Sequence, residues 1–265
     1  FTIGLVGKFL PDSTSRSKLL AYYSIVDRQY STGATQYTSP TFADVQSSSL
    51  WGTKFEQQLD LSPVNIEVGV EYERRIIQKG YFLKSLEESY SSEKGLAIVR
   101  PFEWLTAEGS ARFENLRNDD AFSWGLRLEA DINEWISIWA GLSRSYRYPT
   151  IQELYWTDST IVRAGSPGKE THSMTELGLR MKAGPMSMSL KGFKRRIDNA
   201  IIMTQVGILD AASSLKIMIS PQVDIQGVAA DLSMRLWRLL VAANMTYTDY
   251  QQQSNPAQPF PRFSS

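Results

Sequence analysis

The sequence predicts an all-β protein: an antiparallel up-and-down transmembrane β-barrel, of which this chain supplies about twelve strands. Three observations predict it. Hydrophobicity repeats with a period of two over segments long enough to cross a membrane. The joins between these segments alternate between tight turns and longer loops, and the charged residues recur on one face of each segment.

The alternation is clearest from Phe122 to Ile132. Phe122, Trp124, Leu126, Leu128, Ala130 and Ile132 fall on one face, and Ser123, Gly125, Arg127, Glu129 and Asp131 on the other. From Asn65 to Arg74, Ile66, Val68, Val70 and Tyr72 oppose Glu67, Gly69, Glu71 and Glu73. From Leu105 to Asn115, the apolar and small residues through Phe113 oppose Thr106, Glu108, Ser110, Arg112 and Glu114. Trp51 to Leu61 and Leu239 to Thr248 repeat the pattern. These segments run about 11–15 residues, whereas an ordinary strand has about 5–6 and a membrane-spanning strand needs about 9–11. No run approaches the roughly 18 apolar residues of a spanning helix, and no segment has a convincing helical period.

Strands are predicted near 2–10, 18–31, 43–60, 64–79, 88–100, 104–117, 121–132, 135–147, 170–183, 186–203, 217–235 and 239–251. Tight turns fall at Leu61-Ser-Pro-Val64, Arg100 to Glu103, Asn133-Glu134 and Gly184-Pro185, where Pro, Gly or Asn supply the turn chemistry. Longer joins fall near 32–42, 80–87, 148–169, 204–216 and 252–261. Short turns on one side and long loops on the other are the signature of outer-membrane barrels. Two joins depart from it: Pro11 to Ser17 is long for the tight side, and Asn118 to Asp120 is short for the loop side.

Energetics assign the faces. A charged side chain facing lipid at mid-bilayer costs about 2–4 kcal/mol, so Arg127, Glu129 and Asp131 cannot all face lipid. They are expected on the concave, lumenal side, with Phe122, Leu126 and Leu128 on the convex one. The same reasoning lines the lumen with Glu67, Glu71, Glu108 and Arg112. Trp51, Tyr72, Trp124, Trp135 and Tyr247, near strand ends, suit aromatic girdles at the membrane interfaces.

Composition removes other classes. Lys+Arg and Asp+Glu both number 28, so net charge points to no nucleic acid or acidic partner. Cysteine is absent, which excludes disulfides, thiolate metal sites and a cysteine nucleophile. His172 is the only histidine, which argues against a histidine metal cluster. No catalytic triad is arranged by any motif, so enzyme activity, a resident cofactor and a metal site are not expected.

A family resemblance rests on residues 139–201. Ser143-Arg-Ser-Tyr-Arg-Tyr-Pro-Thr-Ile-Gln-Glu-Leu-Tyr155 resembles the S-x-x-F-R-x-P-T-x-x-E-L-Y stretch of TonB-dependent receptors. Gly165-Ser-Pro-Gly-Lys-Glu-Thr171 is similar to a shortened G-N-x-x-L-x-P-E segment, lacking its Asn and Leu-x-Pro portion. Glu176-Leu-Gly178 matches the E-x-G strand start, and Gly192 to Ile201 matches a strand ending in I-x-D-x-I. Gln226-Gly-Val228 resembles a further strand start, with Ala229 in place of the usual acid, and Pro261-Arg262 a late one.

The resemblance implies the fold and function of that family. Its barrels have about 22 strands around a plugged lumen, so residues 1–265 are expected to form part of one barrel domain as a curved open sheet with two unpaired edges. Nothing in the sequence resembles the plug domain, the TonB-binding box or the aromatic C-terminus, and such a piece alone is expected to be neither stable nor functional. The implied role is energised uptake across the bacterial outer membrane of a ferric siderophore, cobalamin or heme, driven by TonB through a plug domain. Outer-membrane lipid is the surrounding partner.

Candidate contacts to ligand or plug are Arg147, Glu153, Tyr155, Trp156 and Glu170. Arg147 and Glu153 flank Pro149 and can instead pair with each other to fix the loop base, the reading favoured here. Tyr155 and Trp156 can stack on a ligand or anchor the upper girdle. His172 is placed where an imidazole would suit heme capture, though a lone histidine at a strand start is more often incidental. Lys191, Lys194, Arg195 and Arg196 form a basic run that can attract an anionic ligand or lipid phosphates, or be a solvated or lumenal set. A passive porin-like channel fits the pattern before residue 95 equally well. An outer-membrane enzyme and a soluble β-rich receptor domain are the remaining alternatives.

Overall fold

The computed structural model describes residues 1–10, 14–31, 43–78, 85–150, 153–154, 161–163, 167–206, 214–237 and 239–252. The strands are β1 (Thr2–Phe9), β2 (Ser15–Ser31), β3 (Ala43–Leu61), β4 (Val64–Gln78), β5 (Leu86–Phe102), β6 (Leu105–Leu116) and β7 (Asp119–Asn133). They continue with β8 (Ile136–Arg147), β9 (Ile161–Arg163), β10 (Glu170–Ala183), β11 (Met186–Val206), β12 (Ser214–Leu236) and β13 (Leu239–Gln252). Twelve of them form one antiparallel meander in chain order, and β9 lies off this path, pairing in parallel with Leu215–Ile217 of β12. Among the described residues β1 and β13 are each paired on one side only.

The twelve predicted strands correspond one to one with this meander. Two bounds shift on the tight-turn side, where β2 starts at Ser15 and β5 ends at Phe102, and the larger differences lie on the loop side. The β11–β12 hairpin continues from Ala200↔Ser220 out to Val206↔Ser214, beyond the ends expected at 203 and 217. Ile201-Ile-Met203 and Ile217-Met-Ile219 break the period of two, but backbone pairing needs no alternation once one hairpin holds the register. β9, with three residues, is too short to show any period.

Tight turns close the other side. At β7–β8, Asn133 Oδ1 accepts from the amides of Trp135 and Ile136, both 2.9 Å, the local bond that makes Asn a turn residue. The β6–β7 hairpin is equally tight although it lies on the loop side: Arg117 and Asn118 have φ of 57° and 63°, as a two-residue type I′ turn requires. The rim of the sheet is therefore low at this point.

Register settles the faces. The row Asp60–Asn65–Ile98–Glu108–Arg127–Gly141–Glu176 runs straight across β3 to β10, so Glu67, Glu71, Glu108, Arg112, Arg127, Glu129 and Asp131 share one side by alternation. Among the described residues no second layer covers the sheet, yet that side is the sheltered one. The Glu129 side chain is 23% exposed, whereas Leu126 and Leu128 opposite are 58% and 57% exposed. Curvature explains the asymmetry, because side chains converge on a concave face and splay on a convex one. Ile77, Trp139, Val223, Glu88, Glu114 and Glu170, all buried, fall on the charged side.

Polar side chains on the concave face reach past their neighbouring strand. Lys94 of β5 holds Glu67 of β4 at 2.8 Å and Glu56 of β3 at 2.7 Å. Arg180 of β10 crosses β8 to Glu129 of β7 at 2.7 Å, and Arg127 lies 3.0 Å from the same carboxylate while stacking on the Trp139 ring. Two of these crossings run over a glycine. In the row Glu56–Gly69–Lys94, a Cβ on Gly69 would lie 2.7 Å from Lys94 Cε. In the row Tyr22–Gly52–Glu73, Tyr22 lies across Gly52 to donate to Glu73. A Cβ there would sit 2.6 Å from the phenol ring.

The convex face is apolar over a defined height. β8 presents Ile136, Ile138, Ala140 and Leu142 in succession, and β10 presents Met181, Leu179 and Leu177 at the matching level. From the β7–β8 turn to Leu142 a strand rising about 3.3 Å per residue at a tilt of about 40° climbs roughly 20 Å. That approaches the about 25 Å apolar band of an outer-membrane barrel. Trp104, Trp135 and Phe102 ring its lower edge, and Trp51, Tyr72 and Trp124 its upper one.

Candidate functional site at the loop-side rim

The site is built on the stretch that leaves β8. Arg147 ends the strand on its concave face, and Tyr148 and Pro149 carry the chain off the sheet. Pro149 cannot donate to a ladder, which ends the pairing there. A single turn follows at residues 153–154, with the Leu154 amide donating to Thr150 O at 3.0 Å. Thr150 and Glu153 cap it reciprocally: Thr150 N donates to Glu153 Oε2 at 2.7 Å, and Glu153 N donates to Thr150 Oγ1 at 3.2 Å.

Arg147 joins this turn to the wall. Its Nη1 donates to both Glu153 oxygens at 3.1 and 3.0 Å, and its Nη2 donates to Glu170 Oε1 at 2.9 Å. Glu170 opens β10 and is 5% exposed. It also accepts from His172 Nε2 at 2.9 Å and from the Ile201 amide of β11 at 2.6 Å. Arg195, which can only donate, faces His172 Nδ1, so Nδ1 accepts and Nε2 carries the hydrogen given to Glu170. Both imidazole nitrogens are thus engaged within the protein.

Tyr148 fastens the same root on the opposite side. Its hydroxyl donates to Asp119 O at 2.7 Å and lies 3.3 Å from Glu114 O, both on the low β6–β7 hairpin. Arg117 Nη2 donates to Pro149 O at 3.0 Å while its Nε binds Glu88. Burial pushes the Tyr148 phenol up to about 12, and the charges of Asp119 and Glu114 add to the shift. Tyr148, Pro149 and Glu153 are in this way tied directly to β6, β7, β8 and the β6–β7 turn, and through Arg147 and Arg117 to β10 and β5.

Beside this clamp lies a concave recess of about 560 Å³, lined in part by Leu50, Glu73, Arg75, Tyr90, Arg117 and Tyr148. Arg75 has no carboxylate partner among the described residues. No group of three or more metal-ligating His, Cys, Asp or Glu residues occurs among the described residues.

The sequence profile of the family described as "TonB dependent receptor-like, beta-barrel" matches residues 1–264. The chain belongs to this family. Among solved structures, the receptor barrel is similar to the copper transporter OprC, with 14% identity and a TM-score of 0.79 over 96% of this chain and 46% of that one. It is similar to the siderophore receptor PirA from Pseudomonas aeruginosa, with 13% identity and a TM-score of 0.69 over 95% of this chain and 56% of that one. The FrpB iron transporter from Neisseria meningitidis gives 12% identity and a TM-score of 0.70 over 95% and 43% of the two chains. At these identities the likeness shows the fold, and the receptor barrel spans about half the length of these structures. A search of curated proteins finds no match.

Within the receptor barrel, Arg147, Glu153 and Glu170 are brought together in one hydrogen-bonded set, while Tyr155, Trp156 and the Pro261-Arg262 segment lie outside the described residues. The basic run is not one patch. Lys191 and Arg195 lie on the concave face, where Lys191 pairs with Glu176 at 3.2 Å, and Lys194 and Arg196 lie on the convex face. Alternation forces this split in any straight strand. Reading the run as a single cluster overlooked it. Tyr148 and Arg117 were missed as well, since neither carries a spacing that announces a bond 29 to 32 residues away.

Proposed function

We propose that the chain is part of the wall of an outer-membrane receptor that imports a scarce nutrient by an energised route. TonB drives it through a plug domain, and the ligand is a ferric siderophore, cobalamin or heme. The observation that carries this reading is a family match along the whole chain, joined to a concave face rich in paired charge and polar groups. Such a face can hold a polar plug through wet hydrogen bonds and ion pairs that break and re-form, without covalent chemistry. Similar structures favour a metal or metal chelate as the cargo: OprC is a copper transporter, FrpB an iron transporter and PirA a siderophore receptor.

In this reading Arg147, Glu153 and Glu170 act chiefly as the clamp that sets the loop root, and the recess around Arg75 and Tyr90 faces plug and ligand. The experiment is uptake in cells lacking the intact receptor gene, complemented with it, supplied separately with radiolabelled ferric siderophore, cobalamin, heme and copper. Uptake of one of these that vanishes when tonB is deleted is the expected result. Passage that persists without TonB, together with open conductance in planar bilayers, would replace the receptor by a passive channel.

A further inference from the structure

The concave face is not uniform around the sheet. On it β4 and β5 set Glu67, Glu71, Glu73 and Lys94, and β6 and β7 set Glu108, Arg112, Arg127 and Glu129. On β12 and β13 the same face carries Gly227, Ala229, Thr246 and Thr248, and Asp231 is the one charge there between Val223 and Ser233. The row that runs from Asp60 to Glu176 continues through Phe193 and Gly227 to Thr248, so both sectors belong to one side of one wall.

Pairing follows the same division. In the charged sector Lys94 and Arg180 reach carboxylates two strands away. Among the described residues no ion pair joins the concave side of β12 or β13. The pair that β12 does make, Asp224 with Arg196 at 3.1 Å, lies on the convex side.

The neutral sector forms a continuous lane. It runs from the pair Val223↔Gln252 at the rim to Ser233↔Ala242 near the β12–β13 turn. At a rise of about 3.3 Å per residue and a tilt of about 40°, these ten steps climb roughly 25 Å, the height of the apolar band outside. Its small side chains project little beyond the backbone. Phe193 of β11 lies over Gly227, where a Cβ would come within 2.7 Å of the ring.

The two sectors hold a neighbour differently. An exposed ion pair contributes about 0–1 kcal/mol, and many acting together on β3 to β7 retain a polar body over a broad patch. Methyls, hydroxyls and glycine hydrogens on β12 and β13 make weaker contacts, which water replaces readily. A passage must also bind weakly enough to release what enters it. Fixed charges of both signs would detain an ionic chelate, and a neutral lane would not.

We propose that cargo crosses the receptor along the concave face of β12 and β13, in a gap that opens between this lane and the plug while β3 to β7 keep hold of the plug. This rests on the import reading above. Gly227, Ala229, Thr246 and Thr248 are the residues the cargo passes at mid-height.

The test places single cysteines in the intact receptor, this chain having none of its own. Their labelling by a membrane-impermeant maleimide is followed in cells importing whichever of radiolabelled ferric siderophore, cobalamin, heme or copper they take up. Ala229→Cys and Thr246→Cys should label several-fold faster with TonB than without it, and Ser92→Cys and Ser110→Cys in the charged sector should show no such gain. Ala229→Trp should lower uptake several-fold while surface binding of the same cargo stays as in wild type. Ala230→Trp, one residue on and facing lipid, should import normally. An equal or larger gain in the charged sector, or normal uptake by Ala229→Trp, would overturn the path. Uptake that does not need TonB sinks the import reading itself, whereas TonB-dependent uptake with no gain at Ala229→Cys or Thr246→Cys sinks only the lane.

Discussion

The guanidinium of Arg147 closes on the carboxylate of Glu170 at the first residue of β10, Nη2 to Oε1 2.9 Å, and holds Glu153 of the outgoing loop with its other nitrogen. One side chain thus sets a loop root against a strand start. Arg147→Met leaves Glu170 buried with a charge half satisfied. Breaking a buried pair costs about 3–5 kcal/mol. The Arg147 side chain is 37% exposed, so screening lowers the expected loss to about 2 kcal/mol. Adding Glu170→Gln should restore part of it. Urea unfolding of the intact receptor in vesicles measures both, and additive losses would show that the pair is not coupled.

Tyr148 makes the clamp sensitive to alkali. Its folded phenol is raised to about 12 by burial and by the carboxylates nearby, against about 10 in an unfolded chain. A raised pKa means stability that is complete below pH 10 and lost as pH climbs through the folded value. The phenolate can no longer donate to Asp119 O. Wild type should therefore lose its advantage over Tyr148→Phe between about pH 10 and 12, an advantage of about 1 kcal/mol at neutral pH. A gap between the two that stays constant through that window would exclude the hydroxyl as the cause.

Gly52 leaves room for Tyr22 to cross β3. Gly52→Val should displace the ring and break the Tyr22–Glu73 bond, costing about 1–3 kcal/mol as overpacking does. In a Tyr22→Ala background the same change should cost little. A double-mutant cycle on thermal unfolding reads the coupling, and equal costs in both backgrounds would mean that the ring does not need the gap.

Adjacent positions on β7 should respond in opposite ways to charge. Leu128→Arg places a cation on the convex face, at an expected cost of about 2–4 kcal/mol in a bilayer. Glu129→Gln keeps its polar side chain on the concave face and loses only its share of the Arg180 and Arg127 contacts. Folding yield into vesicles distinguishes them, and a tolerated Leu128→Arg would count against a lipid-facing convex surface.

Much of the wall was legible in the residues. Phe122 to Ile132 named both of its faces, because a single-layer sheet between oil and water has to write two chemistries in alternation. The clamp was half legible: Arg147 and Glu153 advertised a pair around Pro149, while Glu170, His172, Arg195 and the Ile201 amide entered it from other strands. The short β9 and the outer half of the β11–β12 hairpin carried no alternation to read.

Local alternation and turn chemistry determined that this protein is a meander of long strands with one charged and one apolar face, since both depend only on neighbours in the chain. Register was a matter for the tertiary structure. It carried Lys94 over Gly69 to Glu56, and Tyr148 to the β6–β7 hairpin. Those relationships depend on which residues of different strands share a row, and on curvature that brings side chains together on one face and parts them on the other. Neither is encoded within any single segment.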